Sequence, residues 1–271
     1  MTERPVTSEE LDKIGNFVAE QFEKGASYVH LHKVPLSNAE TGIENIDGEA
    51  PSGLIEGEAP AHLPLHERCK NMLRICRNFA ILQNETFDPL QGLEIVGERK
   101  NTSSMVVEKD HIPFHTEEAS MYDPSRIVSY WNAQTLGTPA ADVIKILPLR
   151  NVIQRSLYIP ELRNPHAFVG DNYVYAPVID RKAKTLRHDP NQAWAKPVND
   201  FFENVSKEEG TTTRVTLRPG DVLFIDNHKA LHSADHYKLP HRLTYKLLHY
   251  ALKADALASV VSEEEMVEEA S

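Results

Sequence analysis

The hydrophobic period of the chain changes near Leu93, and that change limits the fold more than any other feature. Ahead of it, apolar residues recur at helical spacing. Leu11, Ile14, Val18 and Phe22 line one face, Thr7 and Glu10 stand at capping-box distance, and Gly25 is a natural stop. Leu65, Cys69, Met72, Cys76 and Phe79 form a second stripe within about Leu65–Leu82, with one strand, Tyr28–Val34, between the two helices. Beyond Leu93 the apolar runs are short and rich in β-branched and aromatic residues. They cover Leu93–Val96, Ser104–Val107, Arg126–Trp131, Asp142–Leu147, Tyr173–Ile179, Thr211–Leu217 and Val222–Ile225. Asp123-Pro124, Asp189-Pro190 and Pro219-Gly220 punctuate them as turns. A helix over Gln192–Lys207 interrupts the series, and Leu243–Leu252 reads as a last strand, or a strand running into a helix. Helices first and many short strands after predict a mainly β fold with flanking helices, a sandwich or jelly roll.

A chain of 271 residues suits one large domain. We read 1–271 as a single domain with a helical and loop part over 1–92, a β core over 93–252 and a segment over 253–271 whose acidic end is expected to be disordered. Residues 36–60 break both periods. They form either a passive surface loop or a lid, for which Ile43, Ile46, Leu54 and Ile55 supply apolar anchors.

The net charge of −11 is concentrated in two places. The stretch Leu36–Pro60 holds six acids and the tail Glu263–Ser271 five, with no base in either, so the remaining body is neutral. No basic surplus is available to displace counterions from nucleic acid. No apolar run reaches the ~18 residues of a membrane helix. Cys69 and Cys76 lie on the apolar stripe, which makes them core residues rather than a disulfide framework. The opening residues lack a secretory pattern, and a reducing cytoplasm is the expected compartment.

His115-Thr116-Glu117 follows an apolar pair, Ile112 and Phe114. In an extended segment His115 and Glu117 point to the same side. Taken alone, the motif is more simply a solvent-facing turn. Far along the chain, Gly220-Asp221-Val222-Leu223-Phe224-Ile225-Asp226-Asn227 reads as a turn, a buried strand and a polar exit, followed by His232 and Arg242. Two imidazoles and one carboxylate on one face of a metal leave three positions open, which suits Fe(II), a bidentate 2-oxo acid and O₂. His228 lies four residues before His232, the spacing of two ligands on a helix, but Asp226-Asn227 argues for a strand end there. His228, His236 and His241 are expected to be exposed or substrate-facing, and His188 to be a turn residue.

Phe114-His115-Thr116-Glu117, together with Gly220-Asp221, Asp226-Asn227, His232 and Arg242, resembles the Fe(II)/2-oxoglutarate-dependent oxygenases. The similarity runs from about Leu93 to Tyr250 and is to the taurine dioxygenase and clavaminate synthase-like group, which includes free amino-acid hydroxylases. The resemblance implies a double-stranded β-helix and Fe(II) held by His115, Glu117 and His232. It also implies 2-oxoglutarate as cosubstrate and O₂ as oxidant. Arg242 would grip the far carboxylate of 2-oxoglutarate, with Thr138 (or Thr135) as its hydroxyl partner and Lys246 as the rival anchor. Lys229 stands where many relatives have Arg, and Ser233-Ala234 where they have Gly-Arg. Retention of Glu117 separates the chain from relatives that halogenate.

The implied activity is hydroxylation of a small polar molecule, a free L-amino acid or derivative, with no nucleic acid or membrane partner. Asp123, Asp226, Asp235 and Glu118 are candidates to meet a cationic group on it, and Arg126 and Arg187 an anionic one. The ligands are expected to be exposed, so that their loss would leave stability little changed. Two other readings fit the same residues: a cupin-like metal enzyme without 2-oxoglutarate, and a non-catalytic jelly-roll binding protein.

Overall fold

Two antiparallel sheets face each other, and alternate residues along several of their strands build the core between them. The structure is a computed structural model that describes residues 6–32, 34, 75, 94–96, 111–132, 142–170, 172–218, 220–235 and 244–249. The proposed lid over 36–60, Cys69 and Cys76, the run Ser104–Val107, Thr138, Arg242 and the acidic tail lie outside the described residues.

Helix α1 (Ser8–Glu23) begins as its sequence requires. The Glu10 amide donates to Thr7 Oγ1 and the Thr7 amide to Glu10 Oε2, closing a capping box. Gly25, at φ +88°, ends it in the left-handed region that glycine tolerates. Leu11, Val18 and Phe22 are buried, and α1 packs on strand β1 (Tyr28–Leu31).

The remaining strands are β2 (Glu94–Val96), β3 (His111–His115), β4 (Ile127–Asn132), β5 (Asp142–Pro148), β6 (Pro165–Val169), β7 (Tyr173–Pro177), β8 (Ile179–Asp180), β9 (Thr185–Leu186), β10 (Thr213–Leu217), β11 (Val222–Asp226), β12 (Ala230–Asp235) and β13 (Thr244–His249). One sheet runs β1-β11-β4-β13-β2 and the other β10-β5-β12-β3, with β6-β7 and β8-β9 as separate hairpins. The five-stranded sheet therefore takes an edge strand, β1, from ahead of the 93–252 segment. Val128, Tyr130, Leu223 and Ile225 of that sheet meet Ile144, Ile146, Val215 and Leu217 of the other, forming the core between the layers. The alternate residues of the four-stranded sheet, Phe114, Leu147 and Leu231, face away from it. They meet Val198, Phe202 and Val205 of helix α2 (Lys196–Ser206). This is the jelly roll with outer helices that the change of period predicts.

Several elements differ from expectation, and β3 and β6 fall in none of the expected runs. The run Tyr173–Ile179 breaks at Pro177, which pairs with Pro165 at the open end of the β6-β7 hairpin. Proline cannot donate to a continuing ladder, so Ile179 starts a new strand. Helix α2 starts at Lys196 rather than Gln192, with Pro197 in its first turn. The Gln192 amide group instead bridges Val169 and Asp189. Strand β12 was not expected at all, because its sequence, ALHSAD, places polar residues where a buried strand normally carries apolar ones.

Candidate metal centre

Strand β12 lies between β5 and β3, and this placement builds the site. His232 and His115 are register partners, and a bulge follows between His232 and Ala234. The rings are 4.2 Å apart between centroids. Glu117 leaves β3 through a turn and returns its carboxylate to the pair. Its Oε1 lies 3.5 Å from His115 Nε2 and 3.3 Å from His232 Nε2. One donor atom from each of His115, Glu117 and His232 lies within 4.8 Å of the other two. The three residues are buried, at 4%, 8% and 2% exposure, which corrects the expectation of exposed ligands.

The donor set fits a divalent first-row metal, Fe(II) included: two imidazole nitrogens and one carboxylate oxygen. His115 Nδ1 lies 2.8 Å from the Pro113 carbonyl. A proton on Nδ1 makes that bond and leaves the Nε2 lone pair aimed at the centre.

Several further residues hold this arrangement, Tyr130 among them without having been singled out in sequence. The Tyr130 hydroxyl donates to Glu117 Oε1 at 3.2 Å and sits 2.9 Å from His232 Nε2. Asn227 Oδ1 accepts from the Glu117 amide at 2.8 Å, while its Nδ2 donates to the Glu117 and Ser125 carbonyls. The Asn227 side chain thus fixes the backbone of Glu117 on both sides. Glu118 follows at φ +55°, and its carboxylate accepts from the Ser125 amide at 2.8 Å. Between His115 and Glu117, the Thr116 amide donates to the His188 carbonyl at 2.9 Å and the His188 amide to Thr116 Oγ1 at 3.0 Å. Asn227 was visible in sequence as part of the strand exit. Tyr130 read only as one more aromatic in a buried run.

His188 corrects another expectation. The turn in that segment is made by Asp189, whose carboxylate accepts from the Asn191 amide. His188 itself is fully buried against Phe202 and bonds Asn199 Oδ1 through Nε2 at 2.6 Å. Burial is the largest influence on it and holds its pKa down at about 4. His228 is half-buried rather than exposed, with Nε2 3.3 Å from the Pro124 carbonyl, and burial lowers its pKa as well.

Most of the charged candidates for substrate contact are committed elsewhere. Asp226 is buried and lies 3.4 Å from Lys229 Nζ and 3.8 Å from Arg126 Nε. The Arg187 guanidinium donates to the carbonyls of Ala119, Met121 and Tyr122, bracing the loop that follows Glu117. Asp123 remains exposed.

No family model matches the chain, and no curated protein matches it. Solved structures do. The non-heme iron oxygenase OrfP, in complex with Fe and alpha-ketoglutaric acid, is similar at a TM-score of 0.57 and 14% identity, over 91% of this chain and 85% of OrfP. Asparagine oxygenase, in complex with Fe(II), 2S,3S-3-hydroxyasparagine and succinate, is similar at 0.58 and 14%, over 92% and 86%. OrfP with Fe and L-Arg is similar at 0.51 and 13%, over 90% and 84%. The chain shares its fold, a double-stranded β-helix with outer helices, with these iron oxygenases.

Proposed function

We propose that the chain is an Fe(II)- and 2-oxoglutarate-dependent dioxygenase that hydroxylates an unactivated C–H bond of a small polar substrate, a free L-amino acid or close derivative. The observation that carries this reading is the convergence of His115, Glu117 and His232 within 4.8 Å on a fold of this kind. When bound, iron with 2-oxoglutarate and O₂ supplies the oxidising power: the oxo acid is decarboxylated to succinate, and one oxygen atom goes to the substrate.

The protein's own residues supply position and exclusion of water. His115 and His232 offer neutral nitrogens, and Glu117 offers the one negative charge, so the set carries part of the balance for a divalent ion. The Tyr130 hydroxyl orients the Glu117 carboxylate. Burial of the three ligands limits water around the reacting groups. We assign Arg242 to the far carboxylate of 2-oxoglutarate and Thr138 to a hydroxyl contact with it. The choice of an amino acid rests on the L-Arg and 3-hydroxyasparagine held by the similar structures.

Anaerobic addition of Fe(II) and then 2-oxoglutarate tests the chemistry. A visible metal-to-oxo-acid charge-transfer band is expected only when both are present, and its absence from iron-loaded protein would overturn the reading. Succinate release across a panel of L-amino acids, arginine and asparagine included, then identifies the substrate. Turnover without succinate would point to a metal enzyme that uses no 2-oxo acid. Arg242→Lys should raise the 2-oxoglutarate requirement more than it lowers iron affinity, because the planar fork is lost while the charge stays. If Lys246→Ala has that effect and Arg242→Lys has not, the anchor is Lys246.

A further inference from the structure

A second group of metal-ligating side chains lies at the other end of β11. His30 Nε2 is 3.3 Å from Asp221 Oδ2, His32 Nδ1 is 3.0 Å from Asp221 Oδ1, and the two imidazoles are 4.2 Å apart between centroids. One donor atom from each of the three lies within 4.8 Å of the others. In a tetrahedral zinc site with bonds of about 2.0–2.1 Å, neighbouring ligand atoms stand about 3.3 Å apart. The two N···O distances, which run to different oxygens of the one carboxylate, are of the order of that spacing.

The ladder explains why these residues meet. β1 and β11 are antiparallel with Leu31 opposite Val222, so continuing the register by one step sets His32 against Asp221. The Val34 amide donates to the Gly220 carbonyl at 2.8 Å, which keeps the two chains together past the end of β1. His30 and His32 stand two residues apart in an extended segment and so share a side. Asp221 is held firmly. Its amide donates to the Arg218 carbonyl, its carbonyl accepts from the Asn132 amide, and its Oδ2 accepts from the Arg218 amide at 3.0 Å.

We infer that His30, His32 and Asp221 form a second divalent-metal site, of zinc class, that staples edge strand β1 to the turn before β11. The Asp221 side chain is 3% exposed, and besides the Arg218 amide the groups that the described residues bring against its carboxylate are the two imidazoles. Burying a carboxylate is costly without a compensating cation. A neutral imidazole is the ligating form. The His32 side chain is 63% exposed, which gives an ion a route in and leaves the fourth position to water. The site is separate from the His115 centre. Asn227, which fixes Glu117, lies beyond the far end of β11, and five residues of strand span about 17 Å.

Cobalt(II) and zinc titrations of the metal-free full-length chain test the inference. Cobalt serves as the visible probe, with direct metal analysis for stoichiometry. Two ions per chain are expected. His32→Ala, at an exposed position, should bind one, and so should the His115→Ala/His232→Ala double variant, each losing a different site. Asp221→Asn keeps an oxygen for the Arg218 amide and provides a second, conservative test. Losing a residue that only supports a ligand costs 10–100-fold in affinity, so losing a ligand itself should weaken zinc here by more than about 100-fold. Zinc should also raise the Tm of the double variant and leave that of the same variant carrying His32→Ala unchanged. The inference is overturned if His32→Ala and Asp221→Asn bind as many ions, as tightly, as the parent chain. Loss of one ion in His32→Ala with no charge-transfer band at the other site would sustain the staple and sink the oxygenase reading.

Discussion

His115 and His232 stand opposite each other in the β3-β12 ladder, and the ladder bulges immediately after His232. A bulge turns the local strand and re-aims its side chains. Here it lets two adjacent imidazoles, which a flat ladder would hold side by side, converge with the Glu117 carboxylate.

His115→Ala or His232→Ala should abolish iron binding at this centre, read as loss of the charge-transfer band. Because both residues are buried, unfolding stability should also fall, by about 1–3 kcal/mol in urea titrations. A full band in either variant would remove that residue from the ligand set.

Glu117→Gly should lose hydroxylated product. The bonds from Asn227 run to the Glu117 main chain, so the turn survives the change and the chemistry is isolated. With chloride present, mass spectrometry should find chlorinated product at trace level. Wild-type hydroxylation would move the carboxylate role to another residue.

Tyr130→Phe keeps the ring in the core and removes the hydroxyl that touches Glu117 and His232. Iron affinity should fall 10–100-fold, as for other residues that orient a ligand. Stability should change by about 1 kcal/mol. Competition with a coloured chelator measures the first and denaturant unfolding the second.

Asn227→Ala removes three hydrogen bonds and leaves the Glu117 amide and the Glu117 and Ser125 carbonyls without that partner. A loss of about 3 kcal/mol or more is expected, since each buried group left unmade costs about 1–3 kcal/mol. Asn227→Asp, which can still accept from the Glu117 amide, should lose less.

His188 sets a pH dependence. Its folded pKa is about 4 against an ordinary 6.5, so between those values the unfolded chain binds a proton that the folded chain does not. Stability should therefore fall as pH drops from about 6.5 to about 4, by about 3 kcal/mol at 1.36 kcal/mol per unit. In His188→Gln the slope across this window should be shallower. An identical slope in the two proteins would show that His188 titrates normally.

Much of the fold was readable because its strands obey simple alternation. β4, β5, β10 and β11 came out within a residue or two, as did the capping box and Gly25 stop of α1. β12 was missed for a physical reason: it places the polar residues His232 and Ser233 at buried ladder positions, and so departs from the pattern that reveals strands. His115, Glu117 and His232 were legible as a resemblance. The contact of Tyr130 with Glu117 was not, because nothing local distinguishes a tyrosine that reaches a carboxylate across two sheets from one that fills a core.

Glu117 and His232 are 115 residues apart in the chain, and the Asn227 that fastens Glu117 sits in the turn that leads into His232. A nascent chain therefore has no three-point site until the segment through His232 has been made and β12 has docked. Free imidazoles and carboxylates on an unfolded chain rank metals by intrinsic affinity, which favours copper and zinc over iron. On the proposed function, a pocket completed only when β12 pairs with β3, and buried once formed, would rank them by geometry and accessibility instead.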